Sequence, residues 1–124
     1  MISVAGPGEK LLSRNAHKSV IAGVIIAAGI DPVWVHPHFD DDLHRPHHPG
    51  AGGRPQRALR ANPGAKGMLL ISPTDWGTCA DIAGVTEVCH ELGVPLIVDD
   101  AWGAHLPFIR TCPRAVWTPA PTWS

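Results

Sequence analysis

Val94-Pro-Leu-Ile-Val-Asp-Asp-Ala-Trp-Gly-Ala-His105 decides how this chain of 124 residues is read. Leu96, Ile97 and Val98 form an unbroken apolar run behind Gly93 and Pro95, the pattern of a strand buried on both faces. The run stops at two carboxylates, Asp99 and Asp100, and Trp102, Gly103 and His105 follow closely. In an open parallel α/β sheet, ligands sit beyond the carboxyl ends of the strands, often where the strand order reverses. A carboxylate that closes a buried strand is placed for chemistry there. It is equally placed to cap the turn or helix that follows. Spacing alone leaves both readings open.

Working outward, Ile82, Val85, Val88, Cys89 and Leu92 recur at three- and four-residue spacing and predict an amphipathic helix over 81–92, closed by Gly93. Lys66 to Ile71 predicts another buried strand, stopped by Ser72-Pro73, with Thr74 to Thr78 as the loop at its carboxyl end. Gln56 to Ala61 suits a short helix ended by Asn62-Pro63-Gly64. Nearer the N-terminus, Lys10 to Arg14 predicts a short strand, and Asn15 is a candidate N-cap for a helix from His17 to Ala28. That helix is apolar nearly all round, which predicts burial on more than one side. Pro32 to His36 reads as the next strand. The order β-α-β-α-β-α-β calls for a parallel sheet with right-handed crossovers, so the loops at 74–78 and 99–105 share one rim.

Composition bounds the function. One small domain, or a piece of a larger one, fits the length, and 44% hydrophobic content suffices for a core. A formal charge of −1 argues against nucleic acid or an anionic membrane as partner. Cys79, Cys89 and Cys112 are odd in number and widely spaced, which disfavours a disulfide framework or zinc site and fits a reducing compartment. The longest apolar run, Val20 to Ile30, falls far short of the roughly 20 residues a membrane span needs, and no signal peptide is visible. The expectation is a soluble, cytoplasmic chain.

His38 to Arg57 breaks the alternating pattern. It is rich in His, Asp, Gly and Pro and nearly devoid of apolar residues, and it reads as a solvated loop. His36, His38, His44, His47 and His48 could instead ligate a metal. The composition offers no rigid second shell to hold such ligands, so no metal is expected. A non-enzymatic α/β module with a His-rich metal-binding loop is the alternative this stretch keeps open.

Three blocks carry a family resemblance: Ser13-Arg-Asn-Ala-His-Lys-Ser-Val20, Ser72-Pro-Thr-Asp-Trp-Gly77, and Cys89 through His105. In this order and spacing they resemble the major domain of the ornithine/lysine/arginine decarboxylases, pyridoxal-phosphate enzymes with the aspartate aminotransferase-like fold. The match covers most of Ala5 to Phe108. It implies part of a three-layer α/β/α architecture with a mainly parallel sheet, a basic amino-acid substrate, an amine and carbon dioxide as products, and assembly as a homodimer or larger. By position, His17 matches the histidine that stacks on the cofactor ring and Asp99 the aspartate that pairs with the pyridine nitrogen. Trp102 falls where a side chain approaches the phenolic oxygen, and His105 belongs to the same cofactor-binding motif without an assigned role. The family usually has Glu where this chain has Asp100. Another enzyme of the same fold, an aminotransferase or aldolase, is the nearer alternative, and Trp102 with the Arg14-Asn-Ala-His17 block argues against it.

The implied roles make chemical sense. Decarboxylation leaves an electron pair on the α-carbon, and a protonated pyridine ring accepts it better than a neutral one. A carboxylate such as Asp99 favours that protonation through a charge-assisted hydrogen bond, worth roughly 1.5–3 kcal/mol. Two of the family's parts are missing. The lysine of its Ser-x-His-Lys motif, which holds the cofactor as a Schiff base, has no counterpart, because the lysines here are Lys10, Lys18 and Lys66. Its Gly-Thr-Ser phosphate turn has none either. No catalytic lysine is therefore assigned, and the chain is expected to be an inactive, pseudogene-like fragment.

The domain expected is 1–108. Beyond it, 109–124 lacks periodicity and reads as a non-native, disordered tail. A GC-rich coding of Ile-Arg-Thr-Cys-Pro, read one base earlier, gives the family's His-Pro-Asp-Leu-Pro, which suggests a frameshift after Phe108. The stretch 51–55 can be recoded similarly into a plausible helix start.

Overall fold

The computed structural model describes residues 3–14, 16–36, 38–42, 45–47 and 53–108. The tail expected over 109–124 therefore lies outside the described residues, as do Asn15, His44 and His48. Among the described residues, six strands and three helices follow one another: β1 (Lys10–Arg14), α1 (Lys18–Ile21) running on into a π-helical stretch (Ala22–Ala27), β2 (Asp31–Trp34), β3 (His38–Asp40), β4 (Arg45–His47), α2 (Arg54–Ala61), β5 (Ala65–Ile71), α3 (Ile82–Leu92) and β6 (Leu96–Asp99). A short 3-10 turn (Leu106–Phe108) ends the described part.

Four strands make one parallel sheet in the order β2-β1-β5-β6. The chain moves outward from β1 to β2, returns past β1 to β5, and continues to β6. The direction of winding thus reverses between β1 and β5. Right-handed crossovers then place the helices on opposite faces, which is what the two cores show. On one face, Leu12, Met68 and Leu70 pack with Leu59 of α2 and Val85, Val88 and Cys89 of α3. On the other, Leu11 packs with Val24 of the π-helical stretch, Ile30 and Ala5. Adjacent leucines on β1 feed opposite cores because successive strand side chains alternate between faces. Each such buried side chain contributes roughly 1.5–3 kcal/mol relative to exposure.

Local chemistry explains the element ends. Asp81 caps α3, its Oδ1 accepting from the Gly84 amide at 3.1 Å, and Gly93 closes the helix in the left-handed region at φ 65°. Gly67 on β5 is a close-approach position: a Cβ there would meet Val4 Cγ1 at 2.8 Å and the Pro95 carbonyl at 3.1 Å. The N-terminal segment crosses the sheet over that gap.

Three expectations are corrected. The stretch from His38 is not structureless: β3 and β4 form an antiparallel ladder with His38 opposite His47, and α2 begins at Arg54. Backbone groups alone supply that ladder, so it needs no apolar pattern to announce it. The first helix is not buried on more than one side: Val24 is buried, whereas Ile21, Ile25 and Ile26 are exposed, Ile26 at 81%. A single sheet face lies beneath it, and nothing among the described residues covers the opposite side. β6, the strand first identified by its apolar run, is half-buried throughout rather than buried on both faces. It is an edge strand of the described sheet, paired with β5 alone and packed by α3.

Candidate functional site

A cavity of about 740 Å³ opens at the carboxyl ends of the strands. It is lined by Ala16, His17 and Ser19 after β1, by Ile71, Asp75 and Trp76 at the end of β5, and by Asp99, Ala101 and Trp102 at the end of β6. The site therefore straddles the reversal between β1 and β5, the place an open parallel sheet offers for ligands. The sheet register brings the segments together. Leu70 stands beside Arg14 and Val98, Ile71 stands beside Asp99, and the three strands end at one rim.

His17, Asp99 and Trp102, which the sequence places far apart, line this one cavity. His105 does not line it; it is exposed on the turn beyond. Asp75, Trp76 and Ser19 join the site unassigned by the motif comparison. The signal for the first two was the loop at a strand's carboxyl end, which predicted a shared rim but no role.

Asn15, the expected cap, lies outside the described residues; the side chain of His17 caps α1. Its Nδ1 accepts from the Ser19 amide at 3.3 Å and lies 2.8 Å from the Ser19 hydroxyl. The cap orients the ring beside the cavity.

Asp99 is half-buried at the last position of β6. Its Oδ1 accepts from the Ala101 amide at 3.2 Å, the turn-capping role that the sequence left open. That bond is its only side-chain hydrogen bond among the described residues, so the second oxygen is available to a ligand. Capping and ligand binding are compatible here. The turn that follows is tight. A Cβ on Gly103 would meet the Asp100 carboxylate and would stand 2.6 Å from Pro73 Cδ, so glycine is required for the β6 and β5 loops to touch.

The β5 loop is equally well held. Thr74 is buried, its amide donates to the Thr78 carbonyl at 3.0 Å, and its hydroxyl accepts from the Thr78 amide at 3.2 Å. The Gly77 amide donates to the Thr74 carbonyl at 2.8 Å, and Gly77 adopts φ 73°. Asp75 and Trp76 thus occupy the two central positions of a closed turn. Beneath the rim, Arg14 is only 6% exposed, and its Nε and Nη2 find no hydrogen-bond partner among the described residues. Burial pushes its pKa down.

No group of three His, Cys, Asp or Glu side chains able to hold a metal ion occurs among the described residues. No helix of the described residues is long and apolar enough to cross a membrane.

The sequence pattern of the Orn/Lys/Arg decarboxylase family, major domain, matches residues 1–116. The chain belongs to that family. An arginine decarboxylase of Halalkalibacterium halodurans is 40% identical over 114 residues, which is 91% of this chain and 23% of that protein. The chain therefore spans about a quarter of the length of such a decarboxylase relative. Among solved structures, an alanine aminotransferase from Pyrococcus furiosus superposes with a TM-score of 0.58 at 17% identity, over 82% of this chain and 25% of that one. A pyridoxal-5'-phosphate-dependent protein, YhfS of Escherichia coli, superposes with a TM-score of 0.52 at 18% identity, over 79% and 24%. At such identities the likeness is one of fold, and the fold is the α/β architecture expected for the family.

The residues of the cavity can be tested against the cofactor that the family and the fold imply. They fit its ring: a carboxylate with a free oxygen, an imidazole oriented by its own cap, and indoles beside them. Among the described residues, neither lysine nor arginine lines the cavity, so the lining supplies no amine for its covalent attachment.

Proposed function

We propose that this chain carries the ring-binding part of a pyridoxal-phosphate site for decarboxylation of a basic amino acid. The observation that carries this reading is the convergence of His17, Asp99 and Trp102 on one cavity at the reversal of strand order. When bound, the cofactor supplies an electron sink for the pair left on the α-carbon as carbon dioxide departs.

The chain's own residues have definite tasks in this reading. Asp99, tied through Oδ1 to the Ala101 amide, keeps its other oxygen for the pyridine nitrogen and holds a proton there. His17, oriented by its contacts with Ser19, would present its flat face to the ring. Trp102, which lines the same cavity, would stand toward the phenolic oxygen. His105, exposed outside the cavity lining, supports this motif only through the chain turn that carries it. That no lysine lines the cavity among the described residues supports reading the 124 residues as binding the ring without turning over substrate.

Pyridoxal phosphate added to the purified chain is expected to bind with a shift in its absorbance. Asp99→Asn is expected to weaken that binding about tenfold or more, as loss of a charge-assisted hydrogen bond requires. Equal affinity in the variant would sink the assignment of Asp99. Amine production with borohydride trapping at one lysine would sink the assignment of inactivity.

A further inference from the structure

The hairpin between β2 and α2 contributes no described residue to the cavity. Its strands β3 and β4 pair antiparallel, with His38 opposite His47, Phe39 opposite Pro46 and Asp40 opposite Arg45. Side-chain directions alternate along a strand, so positions 38, 40, 45 and 47 share one face of the ribbon and 39 and 46 the other. Residues directly opposite in such a pair have Cβ atoms about 4.5–5.5 Å apart. The register therefore sets two histidines side by side at the end of the hairpin away from its connection, residues 41–44. On the same face Asp40 and Arg45 stand opposite one another, an opposite-charge pairing that favours this register. The composition of the stretch offers no frame for metal ligands, but the paired backbone does.

We propose that His38 and His47 form a two-imidazole site for a divalent transition-type cation such as zinc, which clasps the open end of the hairpin. Imidazole suits zinc, copper and nickel, whereas magnesium and calcium take oxygen ligands. Imidazole binds a metal in its neutral form, so the pair brings no like-charge repulsion to the ion. Two protein ligands leave the remaining coordination positions to solvent, which makes this an open clasp rather than a closed four-ligand centre. The clasp has a place in the fold. Arg54 Nη1 donates to the His36 carbonyl at 3.5 Å, so the chain entering the hairpin already meets the start of α2. An ion held by His38 and His47 ties the two strands together just beyond that contact. The site is independent of the cavity and of the decarboxylase reading.

Isothermal titration calorimetry of the full 124-residue chain tests the proposal, with zinc chloride as probe and magnesium chloride as comparison. Zinc is expected to bind and magnesium to give no binding heat. His38→Ala and His47→Ala are each expected to weaken zinc binding at least about tenfold, since even a partner that merely supports a metal ligand is worth roughly 10–100-fold. Combining His38→Ala with Phe39→His keeps the number of histidines but moves one to the other face of the ribbon. That double variant is expected to bind no better than His38→Ala alone. Full binding in the double variant, or in both single variants, would assign the ion to the His-rich composition at large and overturn the register site. An equal response to magnesium overturns it too, by assigning the ion to Asp40, Asp41 and Asp42. Modification by diethyl pyrocarbonate, mapped by peptide mass on the unsubstituted chain, covers the case of a variant that misfolds. Zinc is expected to protect His38 and His47 and to leave the exposed His105 reactive. Absence of zinc binding, or protection that passes over His38 and His47, sinks the proposal.

Discussion

Arg14 places a guanidinium in the interior with two nitrogens unanswered. A buried donor without a partner costs about 1–3 kcal/mol, and more when charged. The lowered pKa expresses the same penalty, since burial disfavours the charged form. Arg14 stands beside Leu70, whose neighbours on that face are apolar, so an apolar side chain of similar length suits the space. Arg14→Met is therefore expected to raise the stability of the 124-residue chain by about 1–3 kcal/mol, read as a higher urea midpoint at unchanged slope. A lower midpoint would show that Arg14 has a partner in solution. Residue-scale chemistry of this kind was invisible in the sequence, where Arg14 looked like the polar end of a strand. His17 is the converse case. The sequence offered it as the first residue of a predicted helix, the resemblance offered it as a stacking group, and the structure adds a capping bond that orients its ring.

α3 links two features that were legible from spacing alone, its apolar stripe and its closing glycine. Cys89 lies on that stripe, fully buried against the sheet, and burial pushes its thiol pKa up. Cys79 is half-exposed in the loop before the helix. The folded state holds Cys89 protonated, while the unfolded chain ionises it above about pH 8.5. Its contribution to stability is thus complete below that pH and is lost as pH rises. A thiol-reactive probe at pH 8 is expected to modify Cys79 in the native chain and Cys89 only upon unfolding, read by peptide mass mapping. Equal labelling rates would mean that α3 opens faster than it reacts. Elements with a strong period, α3, β5 and β6, could be read from sequence because their side-chain pattern is their packing. The β3–β4 ladder could not, because backbone hydrogen bonds carry it. The loop holding Asp75 and Trp76 could be put on the same rim as 99–105 from the alternation of elements, but not their side chains in one cavity with His17, since that depends on which strands are neighbours, and local spacing does not encode strand order.

At the scale of the whole molecule, the described sheet has one face covered by two helices and the other by a single helix whose outer side is bare. Ile21, Ile25 and Ile26 lie on that helix with substantial exposure, and β6 closes the sheet without a further strand. An exposed apolar stripe and an open strand edge both favour association in water, the first without direction and the second through backbone pairing. The two causes can be separated. Ile26 is 81% exposed and Ile21 39%, so replacing both by lysine removes apolar surface and adds charge while sacrificing little burial. Ile21→Lys with Ile26→Lys is expected to lower concentration-dependent association, measured by sedimentation velocity, and to shift the unfolding midpoint by less than about 0.5 kcal/mol per site. Persistent association in that variant would assign it to the β6 edge. A proline at Ile97 would then be the discriminating change, provided its N–H points away from β5, because only an outward-facing N–H can be removed without breaking the existing ladder. Loss of folding in the double lysine variant would contradict the exposure of this helix, and with it the single-sided core assigned to Val24 and Leu11.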